Sequence, residues 1–80
     1  MVVVVTLTRY LQKHRLTAKA FAEDSDVNVA TLSRFFNGLT MPSTRNIGRI
    51  VEHTEGQVTY DDLAAEFARL SSVRERESRP

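Results

Sequence analysis

Eighty residues allow one small domain, because a chain this short buries only about 60% of the surface its unfolded form exposes. Hydrophobic residues at 41% and charged residues at 26% are ordinary globular proportions, and the net charge is only +1. There is no cysteine, which excludes a disulfide scaffold, a zinc-thiolate centre and a thiol nucleophile.

The chain opens on the apolar run Met1 to Val5, which has neither a basic flank nor a small-residue cleavage site and is broken by Thr6. It falls far short of the roughly 20 residues that span a bilayer, so no membrane role is expected, and the cytoplasm is the default compartment. Four consecutive valines favour an extended arm over a helix. A short N-terminal strand of this kind needs an edge to pair with. Either the same strand of a second copy supplies it, or residues 1–5 pack as an apolar plug over the first and last helices.

Leu7, Tyr10 and Leu11 recur at helical spacing behind Thr6, an N-cap residue, and predict a first helix over about 7–14. Thr17 caps a second, with Ala18, Phe21 and Ala22 as its apolar face and Glu23 to Asp26 as its end. Asn28 caps a third, striped by Leu32, Phe35 and Phe36 and closed by Gly38 as the C′ glycine. Pro42 keeps Leu39 to Pro42 a loop. Ser43 caps a fourth helix carrying Ile47, Ile50 and Val51, and Gly56 ends it. Thr59 or Tyr60 precedes a fifth, with Asp61 and Asp62 in the first turn, where the helix dipole favours acids, and it buries Leu63, Phe67 and Leu70. Ser71 to Pro80 reads as a frayed, charged tail. The expected fold is all-α: a compact bundle of about five short helices over residues 6–70, with the arm 1–5 and the tail 71–80 outside it.

Catalytic chemistry finds no foothold. His14 and His53 have no converging partners in sequence, no glycine-rich phosphate loop exists, and adjacent Asp61 and Asp62 point to different sides of a helix. No enzyme activity, metal or cofactor is expected. The cations are uneven: Arg9, Lys13, Arg15 and Lys19 fall in the first twenty residues with no acid among them. They form either a solvated face or an anion-binding one.

Residues 16–38 carry the most information. They read LTAKAFAEDSDVNVATLSRFFNG, two short helices joined by a turn around Asp26. This stretch resembles, without a gap, the helix-turn-helix of the Cro and lambda-repressor-like (XRE-type) family. Leu16 and Thr17 match the family's opening pair, Ala22 the alanine where the helices cross, and Val27 the apolar residue after the turn. Thr31, Leu32, Ser33 and Arg34 match the middle of the recognition helix, and Asn37 with Gly38 its end. Pro42, Ser43, the Ile50 helix and the exit Gly56-Gln57-Val58-Thr59 also fit. Four positions depart: Asp26 replaces the usual turn glycine, Ser25 an apolar residue, Ala18 a common DNA-contacting glutamine, and Phe36 a polar residue.

The resemblance implies a transcriptional regulator that binds double-stranded DNA, with the helix from Asn28 to Asn37 in the major groove. It places base contacts at Asn28, Val29, Ala30, Ser33 and Arg34. It places phosphate contacts at Thr17, the amide of Ala18, Thr31, Asn37, Thr40 and Arg45. Physical chemistry agrees with a helix whose inner face is apolar and whose outer face is small or polar, since the major groove is about 12 Å wide. Arg34 is the one long donor suited to guanine O6 and N7, while Val29 and Ala30 suit thymine methyls. Arg49 is expected to pair with Glu52 or an aspartate. Repression by a homodimer is the simplest mechanism at this size, with Val3, Val5, Phe67 and Leu70 as dimerisation candidates. The rival reading is a protein-interaction module of the same fold, an antiactivator or antitoxin that sequesters a partner protein.

Overall fold

The computed structural model describes residues 5–77. It contains α1 (Leu7–Lys13), α2 (Ala18–Ser25), α3 (Val29–Phe36), α4 (Thr44–His53) and α5 (Tyr60–Glu77). Local chemistry sets where each begins. Thr6, Thr17, Asn28 and Ser43 have extended backbones, and their side-chain oxygens accept from Arg9, Ala20, Ala30 and Asn46 N–H. At α5 the cap is reciprocal. Thr59 Oγ1 accepts from Asp62 N–H at 3.2 Å, while Asp62 Oδ2 accepts from Thr59 N–H at 3.0 Å.

The first four helices end alike. Each stops at a residue with positive φ, followed by a backbone bond reaching back five residues: Leu16 to Leu11, Val27 to Ala22, Leu39 to Arg34 and Gly56 to Val51. Only at α3 is the left-handed residue a glycine, Gly38. Arg15, Asp26 and Glu55 hold it elsewhere at φ 55°, 60° and 55°. Gly56 thus stands one residue beyond the position expected to end α4. Gly38 has a second reason to be glycine: a Cβ there would lie 2.6 Å from the Leu70 carbonyl oxygen. The end of α3 and the backbone of α5 touch directly.

Every helix contributes to one core. Leu7 and Leu11, Phe21 and Ala22, Leu32 and Phe35, Ile47 and Ile50, and Leu63 meet Val27 and Val58 from the connections. The architecture is all-α, with α2 packed on α3 and α4, and α5 packed on α1, α3 and α4. Phe67 of α5 stacks on Phe35, their ring centroids 5.9 Å apart. Thr54, fully buried, accepts from Val58 N–H at 3.2 Å and donates to the Val51 carbonyl at 3.1 Å, fixing the turn between α4 and α5.

Two polar features differ from the sequence-based picture. Ser25, which stands where the family has an apolar residue, is buried, and its hydroxyl donates to the Phe21 carbonyl one turn back at 2.7 Å. Glu66 on α5 is only 4% exposed and caps α1 from across the fold. Its Oε1 accepts from Leu7 N–H at 2.7 Å, and its Oε2 accepts from the Thr8 hydroxyl at 2.6 Å and from Thr8 N–H at 3.4 Å. α1 has no acid in its own first turn, so this distant carboxylate takes that place.

The expected frayed tail is corrected: α5 continues through Glu77. No glycine or proline interrupts residues 71–77, and serine, arginine and glutamate tolerate or favour helix, so nothing stops the helix that Leu70 anchors. The proposed N-terminal strand falls mostly outside the described residues. Of the arm, Val5 is described; it is not in a strand and packs against the core.

Candidate nucleic-acid interface

The α2–α3 pair is built to hold one helix by its inner side. Ala22, 2% exposed, is small enough for α2 to approach α3 closely. Asp26, left-handed, turns the chain between them, and Arg49 of α4 braces that turn. Its Nη1 donates to the Asp26 carbonyl at 2.8 Å, and its Nη2 lies 3.8 Å from the Asp26 carboxylate. The aspartate pairing expected for Arg49 is therefore present, with the stronger contact made to main chain. Val27, 4% exposed, then plugs the chain into the core before Asn28 starts α3.

α3 has two sides. Leu32 and Phe35 are fully buried, and Phe36 is half-buried with its ring edge-on to Phe35 at 5.3 Å. Val29, Ala30, Ser33 and Arg34, with Asn37 just beyond the helix, are all exposed. At 3.6 residues per turn these five occupy an arc of about 140° facing away from the inner row. Val29, at 47% exposure, is an apolar side chain left in solvent at the start of that arc.

Of the expected base-reading residues, Val29, Ala30, Ser33 and Arg34 stand together on one face, and Asn28 is exposed ahead of them as the N-cap of α3. Their hydrogen-bonding groups are not equally available. Asn28 Oδ1 is occupied, accepting from Ala30 N–H at 2.8 Å, which leaves its amide as the outward donor. Asn37 Nδ2 donates to the Ser33 carbonyl at 2.9 Å and lies 3.4 Å from Ser33 Oγ, so these two outward residues brace each other. Arg34 supplies the one cation of α3.

The residues expected at phosphates divide. Thr31 and Thr40 join Arg34 in a cleft between α3 and the loop to α4, with Pro42, Ser43 and Asn46 as its far wall. Arg45 is exposed in the first turn of α4, next to that wall. Thr17 is exposed at the start of α2, its Oγ1 accepting from Ala20 N–H at 3.0 Å while the hydroxyl proton stays free to donate. Ala18 contributes its amide only, because its side chain packs against the core. Asn46 was not legible as a cleft residue from sequence. It lies at the third position of α4 and lines both this cleft and the one beside Asp26 and Asn28, a placement with no local signature.

The remaining charges lie elsewhere. Asp24, Asp26, Glu52 and Glu55 gather with Arg49 and His53 in a cleft to which α3 contributes no residue. His14 caps the end of α1 with its ring tilted against Tyr10 at 4.3 Å, and His53 ends α4 edge-on to Phe21 at 5.3 Å. Among the described residues no group of three or more His, Cys, Asp or Glu is placed to hold a metal, and no helix is long and apolar enough to cross a membrane. Of the dimerisation candidates, Val5 and Phe67 pack on the protomer's own core, Leu70 does so at its edge, and Val3 lies outside the described residues.

A family model described as helix-turn-helix matches residues 7–60, from the start of α1 to the first residue of α5. Comparison with curated proteins and with solved structures gives no match. The matched span holds α1 to α4, the Ala22 crossing, the Asp26 turn and the whole outward face of α3. The chain therefore belongs to the XRE/Cro-type helix-turn-helix family of DNA-binding regulators.

Proposed function

We propose that the protein is a sequence-specific repressor that binds duplex DNA as a homodimer, with α3 in the major groove. One observation carries this reading: the outward arc of α3 is free of core duties, while its inner row is fully buried. A helix held this way can enter the groove without disturbing the domain. Arg34 grips a guanine through O6 and N7, and Val29 and Ala30 pack on thymine methyls. Asn28 and Ser33 supply short donors beside them. Thr31, Asn37, Thr40, Arg45 and the Thr17–Ala18 turn hold phosphates and fix register. Two copies read half-sites about 34 Å apart, one turn of the duplex. A domain this small represses by occupying the promoter.

Selection from random duplex DNA, followed by sequencing of the bound fraction, tests the reading. The expected product is a two-fold symmetric motif. The logarithm of the affinity for it falls linearly with log salt, and Arg34→Ala relaxes one base position at a loss of about 1–3 kcal/mol. If no sequence enriches and duplex DNA is not retained at low salt, the outward face of α3 serves a protein partner, as in an antitoxin or antiactivator.

A further inference from the structure

Asn37 is followed by Gly38, and the pair carries a chemistry that the other asparagines of the chain lack. A glycine has no Cβ to hinder its amide nitrogen, and its backbone turns freely enough to bring that nitrogen onto the preceding side chain. The nitrogen attacks Asn37 Cγ. The N–Cγ bond forms, the Cγ–Nδ2 bond breaks, and Nδ2 leaves as ammonia, taking up the Gly38 amide proton. Water then opens the cyclic imide at either carbonyl. The product is an aspartyl residue or its isomer, in which the main chain runs through the side chain. Nothing is oxidised or reduced. Asn28 and Asn46 precede Val29 and Ile47, whose branched Cβ atoms crowd the same approach.

The fold imposes this reactive pair and holds it out of reaction. Gly38 cannot be exchanged for a slower neighbour, because a Cβ there would lie 2.6 Å from the Leu70 carbonyl oxygen. The Gly38 N–H is engaged, donating to the Phe35 carbonyl at 3.0 Å. The Asn37 carboxamide is drawn back along α3, its Nδ2 donating to the Ser33 carbonyl at 2.9 Å. Ring closure also requires Asn37 Cβ to eclipse the Gly38 nitrogen about the Cα–C bond. At a ψ of 2° the Asn37 backbone nitrogen takes that place, and Cβ is turned well out of it. All of these restraints are released together when the last turn of α3 opens.

We propose that Asn37 is a site of spontaneous deamidation, shielded while the end of α3 is closed, and that its conversion disables the outward face of α3. A carboxylate accepts hydrogen bonds and cannot donate them, so the aspartyl product loses the bond to the Ser33 carbonyl. It sets a negative charge at the C-terminal end of α3, against the helix dipole. The same charge faces the phosphates that Asn37 holds on the reading above. The isomer adds a carbon to the main chain just before Gly38, whose contact with the Leu70 backbone is too tight to absorb it. The loss of binding rests on the DNA reading; the shielded conversion does not.

The test ages the full chain at mildly alkaline pH, in native buffer and in guanidinium chloride, and follows it by tryptic digestion and mass spectrometry. Cleavage after lysine and arginine puts Asn28, Asn37 and Asn46 in separate peptides, 20–34, 35–45 and 46–49. Asn37 should convert at least about tenfold faster in denaturant, because the native chain must first give up both hydrogen bonds. Asn28 and Asn46 should stay unconverted over the same time. The converted native fraction, separated by ion exchange, should bind duplex DNA at low salt roughly tenfold more weakly or worse. Asn37→Asp should reproduce that loss with the wild-type circular dichroism spectrum. Asn37→Ser, which cannot cyclise, should keep its own starting affinity through ageing. Conversion no faster in denaturant, or no faster at Asn37 than at Asn28 and Asn46, overturns the proposal. So does Asn37→Asp binding as tightly as wild type, which leaves the DNA reading standing. A fresh wild-type chain that binds no duplex refutes the DNA reading, and with it the loss of affinity, but not the shielded conversion.

Discussion

The carboxylate of Glu66 ties α5 to the start of α1, and removing it should unfasten α1. A helix of seven residues has no independent stability, so α1 depends on Leu7, Leu11 and this cap. In Glu66→Ala, the buried Leu7 N–H loses its acceptor at 2.7 Å and bears a desolvation cost of about 1–3 kcal/mol. Thr8 is exposed, so water replaces most of its share. The lost charge at a helix N-terminus adds about 0.3–1 kcal/mol. The sum is about 1.3–4 kcal/mol, which for a domain of this size lowers Tm by roughly 5–30 °C. Glu66→Gln keeps the acceptor for Leu7 N–H and should lose only about 1 kcal/mol. Pairing it with Thr8→Ala in a double-mutant cycle should give a coupling near 1 kcal/mol, from the hydroxyl bond of 2.6 Å. Thermal and urea denaturation followed by circular dichroism measure all of these. Should Glu66→Ala melt within about 2 °C of wild type, the bridge contributes nothing and apolar contacts alone hold α1.

The glycines separate by surroundings. Gly38→Ala combines a φ of 70° with a Cβ at 2.6 Å from the Leu70 carbonyl and should destabilise by about 3 kcal/mol or more, whereas Gly56→Ala, with φ 78° and open space, should cost only about 1 kcal/mol; equal denaturation midpoints would refute the backbone contact. Gly48→Ala, within α4 and with nothing within 4 Å of the added Cβ, should raise stability by about 0.5–1 kcal/mol in the same assay. Asp26→Gly relieves the left-handed aspartate at φ 60° and keeps the Arg49 bond to the main-chain carbonyl, losing only the exposed 3.8 Å ion pair. It should therefore be stabilising by about 0.5–1 kcal/mol, and a loss of stability on urea titration would show that the side-chain charge matters more than its backbone.

What was legible in the sequence was local. Thr6, Thr17, Asn28 and Ser43 announce helix starts because a cap bonds an N–H only two or three residues on. Leu32 and Phe35 announce the inner side of α3, and that spacing leaves Val29, Ala30, Ser33 and Arg34 outside. What was hidden was set across distance. Glu66 serves an N–H 59 residues away, and nothing around it in the chain distinguishes it from a solvated glutamate. Asn46 joins two clefts only because α4 runs beside the α2–α3 turn. The last turns of α5 lack an apolar period, so Ser71 to Glu77 looked like a tail although no breaker stands in them. Ser25 looked like a defect because its remedy is a bond to its own helix.

The meeting of Gly38 with the main chain of Leu70 and Ser71 has a bearing on how such a domain diversifies. A joint made of backbone does not change when side chains do. The frame that aims α3 is thus independent of the letters written on its outer face. Val29, Ala30, Ser33 and Arg34 can be exchanged for another set without moving the helix that carries them. On the proposed reading of that face, new target sequences become reachable by single substitutions, each tried on an unaltered mount.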